Sequence, residues 1–358
     1  MNKKTLALAI TGACSIPLSA HAGESQVTLY GQANMAVEIS SQGGGGAGLG
    51  QRTHIASNGS RLGVKGWERL GGGLKAVFLM EASADGLDSG AAPGTTSLFG
   101  AGREGYAGLS GDFGTVALGF FGQPYKTATA TLDVFAGIIA DYASIMGNAN
   151  GVNLYDTSIT DSIIYFSPKL HGFGGQLQYG FGENASNNRD RWGAQINYGN
   201  GPWYLTYAHA AQNNFDGINS RSADKIAGSY VFNGATTLIA IYESLRSNED
   251  VTTTQRTSDH NAWYMGLTHK LGNTTLRFAH ARAQDSDGSL ADDGARYLAL
   301  GISHTLSKRT EVYGLYARMD NEADGTYGLG QTGSTNTVLP GVPGMDPYSF
   351  ALGIKHSF

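Results

Sequence analysis

The stretch PYSFALGIKHSF, Pro347–Phe358, sets Tyr348, Phe350, Leu352, Ile354 and His356 on every second position. Ser349, Ala351, Gly353, Lys355 and Ser357 fall between them. A strand points successive side chains to opposite faces, so one face is aromatic and aliphatic and the other small and polar. Chain ends usually fray in water unless something ties them down. An apolar stripe that runs to Phe358 calls for a neighbouring strand and an apolar surrounding.

The same period of two recurs along the chain. In VTLYGQANMAVEI, Val27, Leu29, Ala33, Met35, Val37 and Ile39 alternate with Thr28, Tyr30, Gln32, Asn34 and Glu38. RWGAQINYG sets Trp192, Ala194, Ile196 and Tyr198 against Arg191, Gln195 and Asn197, and KIAGSYVF and ALGISHTL behave alike. ATTLIAIYESL is apolar on both faces, which leaves its facing open. Tight-turn signals stand at Leu70–Gly73, Gly111-Asp112, Leu170–Gly172, Gly199–Pro202, Asn233-Gly234, Gly272-Asn273 and Ser307-Lys308. Longer polar stretches lie between them, at 40–59, 85–102, 122–160, 184–189, 212–223, 248–258, 286–293 and 321–346. Seven short and eight long connections join sixteen strands. Short turns at one end and long loops at the other mark a transmembrane barrel. About 9 to 11 tilted residues cross the hydrocarbon layer, and an even number of strands closes the sheet without an edge. The sequence thus predicts an all-β fold, a 16-stranded antiparallel transmembrane β-barrel, apolar outside and polar within.

Composition agrees. Glycine numbers 53 of 358 residues, proline only 8, and tyrosine, at 18, exceeds phenylalanine. The opening MNKKTLALAITGACSIPLSAHA has two lysines, an apolar run and Ala20-His21-Ala22, the pattern of a secretory signal peptide over 1–22. Lipidation at Cys14 is the competing reading; it needs an apolar residue where Thr11 stands. Cys14 is the one cysteine, so the mature chain from Gly23 has no disulfide. Beyond that opening, no stretch approaches the ~18 to 20 apolar residues of a membrane helix. Loss of Lys3 and Lys4 leaves 22 basic against 29 acidic residues, a formal charge of −7, which gives no case for nucleic-acid binding.

SRLGVKGWERLGGGLKAVFLMEA (Ser60–Ala82) resembles the hairpin shared by Gram-negative general porins of the β-proteobacterial type. So do VTLYGQAN at Val27, GLSGDFGTVALG at Gly108, DSIIYFSPKLHGF at Asp161, LSKRTEVYGLY at Leu306 and the terminal GIKHSF. The resemblance implies a homotrimeric outer-membrane channel whose long third loop, here about 122–160, folds into the pore and narrows it. It also implies that the terminal aromatic, Phe358, serves as the assembly signal. Partners would be lipopolysaccharide, outer-membrane lipid, and small hydrophilic solutes and ions diffusing passively, with no cofactor and no nucleic acid.

Low-dielectric walls focus fixed charges on a narrow passage. Arg61 and Lys65 share a face by the period of two and, with Lys75, are lumen candidates; Arg103 stands on a strand of ambiguous facing. The loop supplies Asp133, Asp141 and Asp156, with Asp161 at the next strand start and Lys126 near the entry. A basic wall facing an acidic loop would create a transverse field. The sequence also departs from the family pattern. Phe120 stands where members commonly have Arg, Asn34 where they have Asp, and Ser158-Ile159-Thr160-Asp161 where an Arg and paired Asn are usual. These departures predict weak anion preference, or a preference for cations or neutral solutes.

Other signals carry less. QGGGGAGLGQR lacks the strand-before, helix-after context of a phosphate loop. DSDGSLADDG fails as a calcium loop because Arg296 occupies its twelfth place. No His-x-x-His or H-E-x-x-H spacing occurs, and Ser303-His304, as neighbours, point to opposite faces, so no enzyme is expected. Two alternatives keep the same barrel. One is a substrate-selective porin for a sugar or aromatic acid, with Phe120, Phe121, Tyr125 and Tyr142 as a stacking path; the other is a surface adhesin.

Overall fold

The computed structural model describes residues 24–44, 50–88, 102–182, 190–213, 220–248, 259–287, 292–330, 339 and 341–358. The segment 1–22, expected to be a signal peptide, lies outside the described residues. Sixteen staves follow in chain order. They are β1 (Ser25–Ser41), β2 (Arg52–Ser57 continued by Arg61–Gly71), β3 (Leu74–Ser83), β4 (Gly102–Gly111), β5 (Gly114–Gly122) and β6 (Ser158–Phe166). Then come β7 (Phe173–Gly180), β8 (Arg191–Asn200), β9 (Trp203–Gln212), β10 (Ser220–Phe232) and β11 (Thr236–Asn248). The last are β12 (His260–Leu271), β13 (Thr274–Ala283), β14 (Ala295–Thr305), β15 (Thr310–Asn321) and β16 (Tyr348–Ser357). Each pairs antiparallel with its chain neighbours, and β16 closes the sheet on β1 from Gln32↔Ser357 to Ser41↔Tyr348. Closure leaves no strand edge for lipid to meet.

Register fixes the faces. On β16 Leu352 is 70% exposed while Ala351 beside it is 7% exposed, and Phe350 and Ile354 share the outer side. The apolar stripe of the final strand therefore faces outward, and Lys355 faces the lumen with Glu311, its partner on β15. Phe358 adds a last pair of bonds to β1: its amide donates to the Gly31 carbonyl at 3.1 Å and its carbonyl accepts from the Gly31 amide at 3.1 Å. Its ring lies over Gly31, where a Cβ would stand 2.5 Å from it. Hairpin chemistry is equally local. Asn233 (φ +47°) and Gly234 (φ +68°) adopt the left-handed pair that a tight, right-twisted hairpin requires.

One boundary differs from the sequence reading. The first long connection does not run over 40–59, because Arg52–Ser57 pairs with β1 through Ser40↔Arg52 to Met35↔Ser57. Asn58-Gly59-Ser60, with Gly59 at φ +62°, reads as a turn but only interrupts the stave. The interruption is bridged by side chains: the Asn34 amide donates to Ser60 Oγ at 2.9 Å. The ambiguous strand is also settled. On β11 Leu238 and Tyr242 are exposed, while Ile239, Ile241 and Leu245 are buried on the inner face.

Candidate pore constriction

The inner side of β11 is apolar because it is covered. The connection from β5 to β6 carries a helical turn (Pro124–Thr127), a 3-10 turn (Tyr142–Ser144) and a two-rung hairpin pairing Asn148↔Asn153. Its Leu132, Phe135, Ile139, Ile145 and Met146 join one buried cluster with Ala262, Ala279, Ala281, Ala295 and Ala299 of the wall. Small residues on inner positions of β12–β14 leave the room that these side chains fill. Phe135 lies against Gly301 so closely that a Cβ there would come within 2.6 Å of its ring. Each fully buried aliphatic or aromatic side chain is worth ~1.5–3 kcal/mol, so the segment is held as a packed body.

Polar bonds fix its register on the wall. Tyr204 donates to the Ala128 carbonyl at 2.9 Å, the Val134 amide donates to the Tyr264 hydroxyl at 3.2 Å, and Tyr297 donates to the Ala140 carbonyl. Glu243 accepts from the Tyr125 hydroxyl at 2.7 Å and from the Gly147 amide at 2.6 Å, so one carboxylate holds both limbs of the connection. Its cross-strand partner Lys225 brings Nζ to 3.5 Å of Glu243 and 4.0 Å from the centre of the Tyr125 ring. Both side chains are fully enclosed. From above, the Thr326 amide donates to Asn150 Oδ1 at 2.7 Å, and Tyr327, Leu329 and Leu339 extend the same cluster.

The opposite arc, β16 and β1–β4, carries the basic candidates. Arg61 pairs with Gln32 and Lys65 with Thr28, so both stand on the inner face; Lys65 lies 5.0 Å over the Tyr30 ring. Lys75 shares that face and lies 5.1 Å over Trp67. The facing of Arg103 is decided by a bulge between Glu81 and Ala82, which swings it to Glu81 Oε1 at 2.9 Å. Glu81 also takes the Tyr30 hydroxyl at 2.9 Å and lies 3.5 Å from Arg61. Glu104 stands beside Glu81 in register, and its Oε1 accepts from the Gly122 amide at 3.4 Å.

The acidic candidates are arranged differently from a free acidic wall. Asp133 accepts from the Phe135 and Tyr142 amides, and Asp141, 2% exposed, accepts from Gly137 and Ala143. Asp156 is buried 3.9 Å from Lys126 Nζ. Asp161 is exposed on a kink at φ +48° where β6 bulges away from β5. Of the four aromatics that could form a stacking path, Tyr125 and Tyr142 are buried within the connection, Phe121 is buried against Tyr106 at 5.0 Å, and Phe120 is half-buried.

Burial raises the Asp141 carboxyl to about 6, with Asp156 adding to the rise and the Gly137 and Ala143 amides and Lys126 opposing it. Asp133 is pushed up as well, by burial and then by Asp141. A raised carboxyl pKa means that the proton is held below that value, so acid removes negative charge from the connection. Lowering the pH from about 7.5 to about 5 is expected to move the zero-current potential toward chloride, with a midpoint near 6. The Asp141→Asn protein should lack that step; an unchanged step in it would assign the titration elsewhere.

Sequence reasoning missed Glu81, Glu104, Lys225, Glu243, Arg277, Glu311 and Lys355 as inner-face charges. Glu81 shares the odd positions of Lys75 and Lys355 lies in the opening stretch, so both were visible by period alone. Glu243 was hidden on the strand whose two faces are both apolar. Arg277 holds Glu311 at 3.2 Å and projects from the strand beside β14.

A closed barrel with an apolar exterior and a charged lumen, with its own connection packed on one inner wall, defines a water-filled membrane pore. The chain matches the Gram-negative porin family over residues 5–324 and belongs to it. It is 30% identical over 370 residues to outer membrane porin protein 32 of Delftia acidovorans, covering 100% of both chains. It is 26% identical over 343 residues to the major outer membrane protein P.IB of Neisseria gonorrhoeae, covering 87% of this chain and 92% of that one. The solved anion-selective porin from Comamonas acidovorans superposes with a TM-score of 0.77 at 28% identity, covering 94% of this chain and 100% of that one. This protein is an outer-membrane porin, a channel for passive diffusion of small hydrophilic solutes and ions.

Proposed function

We propose that the water path is narrowest between the connection over residues 123–157 and the inner arc of β16 and β1–β4, and that it weakly favours anions. The carrying observation is the unequal use of charge. Asp133 and Asp141 spend their oxygens on backbone amides, while Lys65 and Lys75 remain exposed on the inner face. Arg61 and Arg103 share Glu81, and Arg277 shares Glu311 with the neighbouring Lys355, so Glu81 and Glu311 each face two cations. Cations on a low-dielectric wall raise the local anion concentration, and partial pairing keeps the preference small. Arg61, Lys65, Lys75 and Arg103 are the pore-lining residues of this reading; Lys126, Asp133, Asp141, Asp156 and Asp161 set the opposing side.

The rest of the proposal follows family resemblance: a homotrimer, lipopolysaccharide as a lipid partner, removal of residues 1–22 on export, and Phe358 as the assembly signal. No catalytic role and no cofactor are part of it. The test is the zero-current potential of the purified, folded protein in a planar bilayer under a KCl gradient. A small potential of chloride sign is expected. Potassium preference would overturn the charge assignment, and absence of stepwise conductance would overturn the pore itself.

A further inference from the structure

On the outer face of β12–β16 the side chains fall into rows fixed by register. One row is Leu267, Phe278, Leu300, Tyr316 and Phe350. The next toward the long connections is Met265, His280, Leu298, Arg318 and Tyr348, and beyond it stand Trp263, Arg282, Arg296 and Asp320. Phe278, Leu300 and Phe350 are exposed outward. The arginine row is therefore where the lipid-facing band ends on the long-connection side.

Two independent features mark a site here. First, Arg282 and Arg296 are direct cross-strand partners, a like-charge placement that favours a bound anion, with Asp320 in register on the far side of Arg296. Nearby carboxylates are largely committed. Asp320 and Asp346 hold Arg318, and Glu322 pairs with one terminal nitrogen of Arg282 at 3.7 Å. Arg282 Nε is enclosed without a hydrogen-bond partner. Arg296 is exposed and makes no hydrogen bond or ion pair among the described residues. Second, an apolar groove of about 520 Å³ opens on the outer surface one row further from the long connections than His280 and Leu298, lined by Leu276, Phe278, Leu300, Ile302, Tyr316 and Phe350. Gly314 lies in it with no side chain to fill the space.

We infer that this face binds a phosphorylated lipid of the outer leaflet, with a phosphate between Arg282 and Arg296 and an acyl chain in the groove at Gly314. Guanidinium forks match phosphate oxygens two at a time, and the anion relieves the repulsion between the paired arginines. The groove supplies the apolar contact that a free phosphate lacks, which selects lipid over inorganic anion. A lipid is also favoured over a second copy of the chain, because the groove continues the outward apolar stripe of the neighbouring staves. The inference rests on the lipid-partner reading above and is independent of ion selectivity.

The test uses folded full-length protein in detergent, analysed by native mass spectrometry with bis-phosphorylated lipid A, its dephosphorylated form, and inorganic phosphate as competitor. The natural protein should retain the phosphorylated lipid roughly tenfold or more over the dephosphorylated one, as charge-assisted bonds to phosphate predict. R282Q/R296Q should lose that preference, and Gly314→Leu should weaken retention of both lipids. Conductance of R282Q/R296Q in bilayers should match the natural protein, which separates failure of this site from failure of the pore. Equal retention of the two lipids by the natural protein, or an unchanged preference in R282Q/R296Q, would overturn the proposal. So would displacement by equimolar inorganic phosphate, which would mark a free-anion site. Loss of subunit association in R282Q/R296Q with lipid retention unchanged would assign the row to a subunit contact.

Discussion

Glu243→Gln is expected to unfasten the pore connection while leaving the barrel closed. The carboxylate accepts from Tyr125 on the outgoing limb and Gly147 on the returning limb, and it neutralises Lys225 inside a fully enclosed site. Glutamine keeps the size but leaves the ammonium buried without a counter-charge. Breaking a buried pair by removing one partner costs on the order of 3–5 kcal/mol, which falls on docking of the connection because the staves pair independently of it. Single-channel records should show added open-state noise and closures, and a protease should cut within residues 123–157, which the natural protein shields. Lys225→Met combined with Glu243→Gln removes the orphaned charge, so the double variant should be quieter than Glu243→Gln alone. Records for Glu243→Gln that match the natural protein would show that the apolar packing alone holds the connection.

The second large effect concerns selectivity. A unit charge about 5 Å from the ion path is worth ~0.8 kcal/mol in water, a factor of roughly four in ion partition before salt screening. Arg61→Gln with Lys65→Gln removes two such charges from the inner face, and Glu81 then keeps only Arg103 as a charged partner. Each charge acts oppositely on the two ions, so the chloride-to-potassium permeability ratio should fall on the order of a hundredfold at low ionic strength and less at high salt. Heat resistance of the folded barrel should be unchanged, since the Arg61 pair is partly exposed and such pairs contribute ~0–1 kcal/mol. A ratio that does not move would place the controlling charges at Arg277 and Lys355 instead.

Strand number, outward face and the end that bears long connections were legible because each rests on local pattern. Alternation along Tyr348–Ser357 needs only the period of two, and Asn233-Gly234 needs only its own backbone preferences. The facing of Thr236–Asn248 was not legible, since a strand with an exposed apolar outer face and a packed apolar inner one has no polar face to reveal it. Arg103 was ambiguous for a related reason: a bulge shifts the alternation at one residue, and nothing in Gly102-Arg103-Glu104 announces it. Alanine at every second place of Ala279–Ala283 was the one available sign that something packs against the inner wall.

The sequence by itself determined a closed, lipid-facing barrel and the charges available to its lumen. Tertiary structure alone decided which of those charges remain free. Asp141 becomes a backbone acceptor, Glu81 is shared by Arg61 and Arg103, and Glu243 is claimed by a tyrosine 118 residues earlier in the chain. A period of two reports where a side chain points. What it meets there depends on a connection folded across the lumen, and those contacts leave no local trace in the chain.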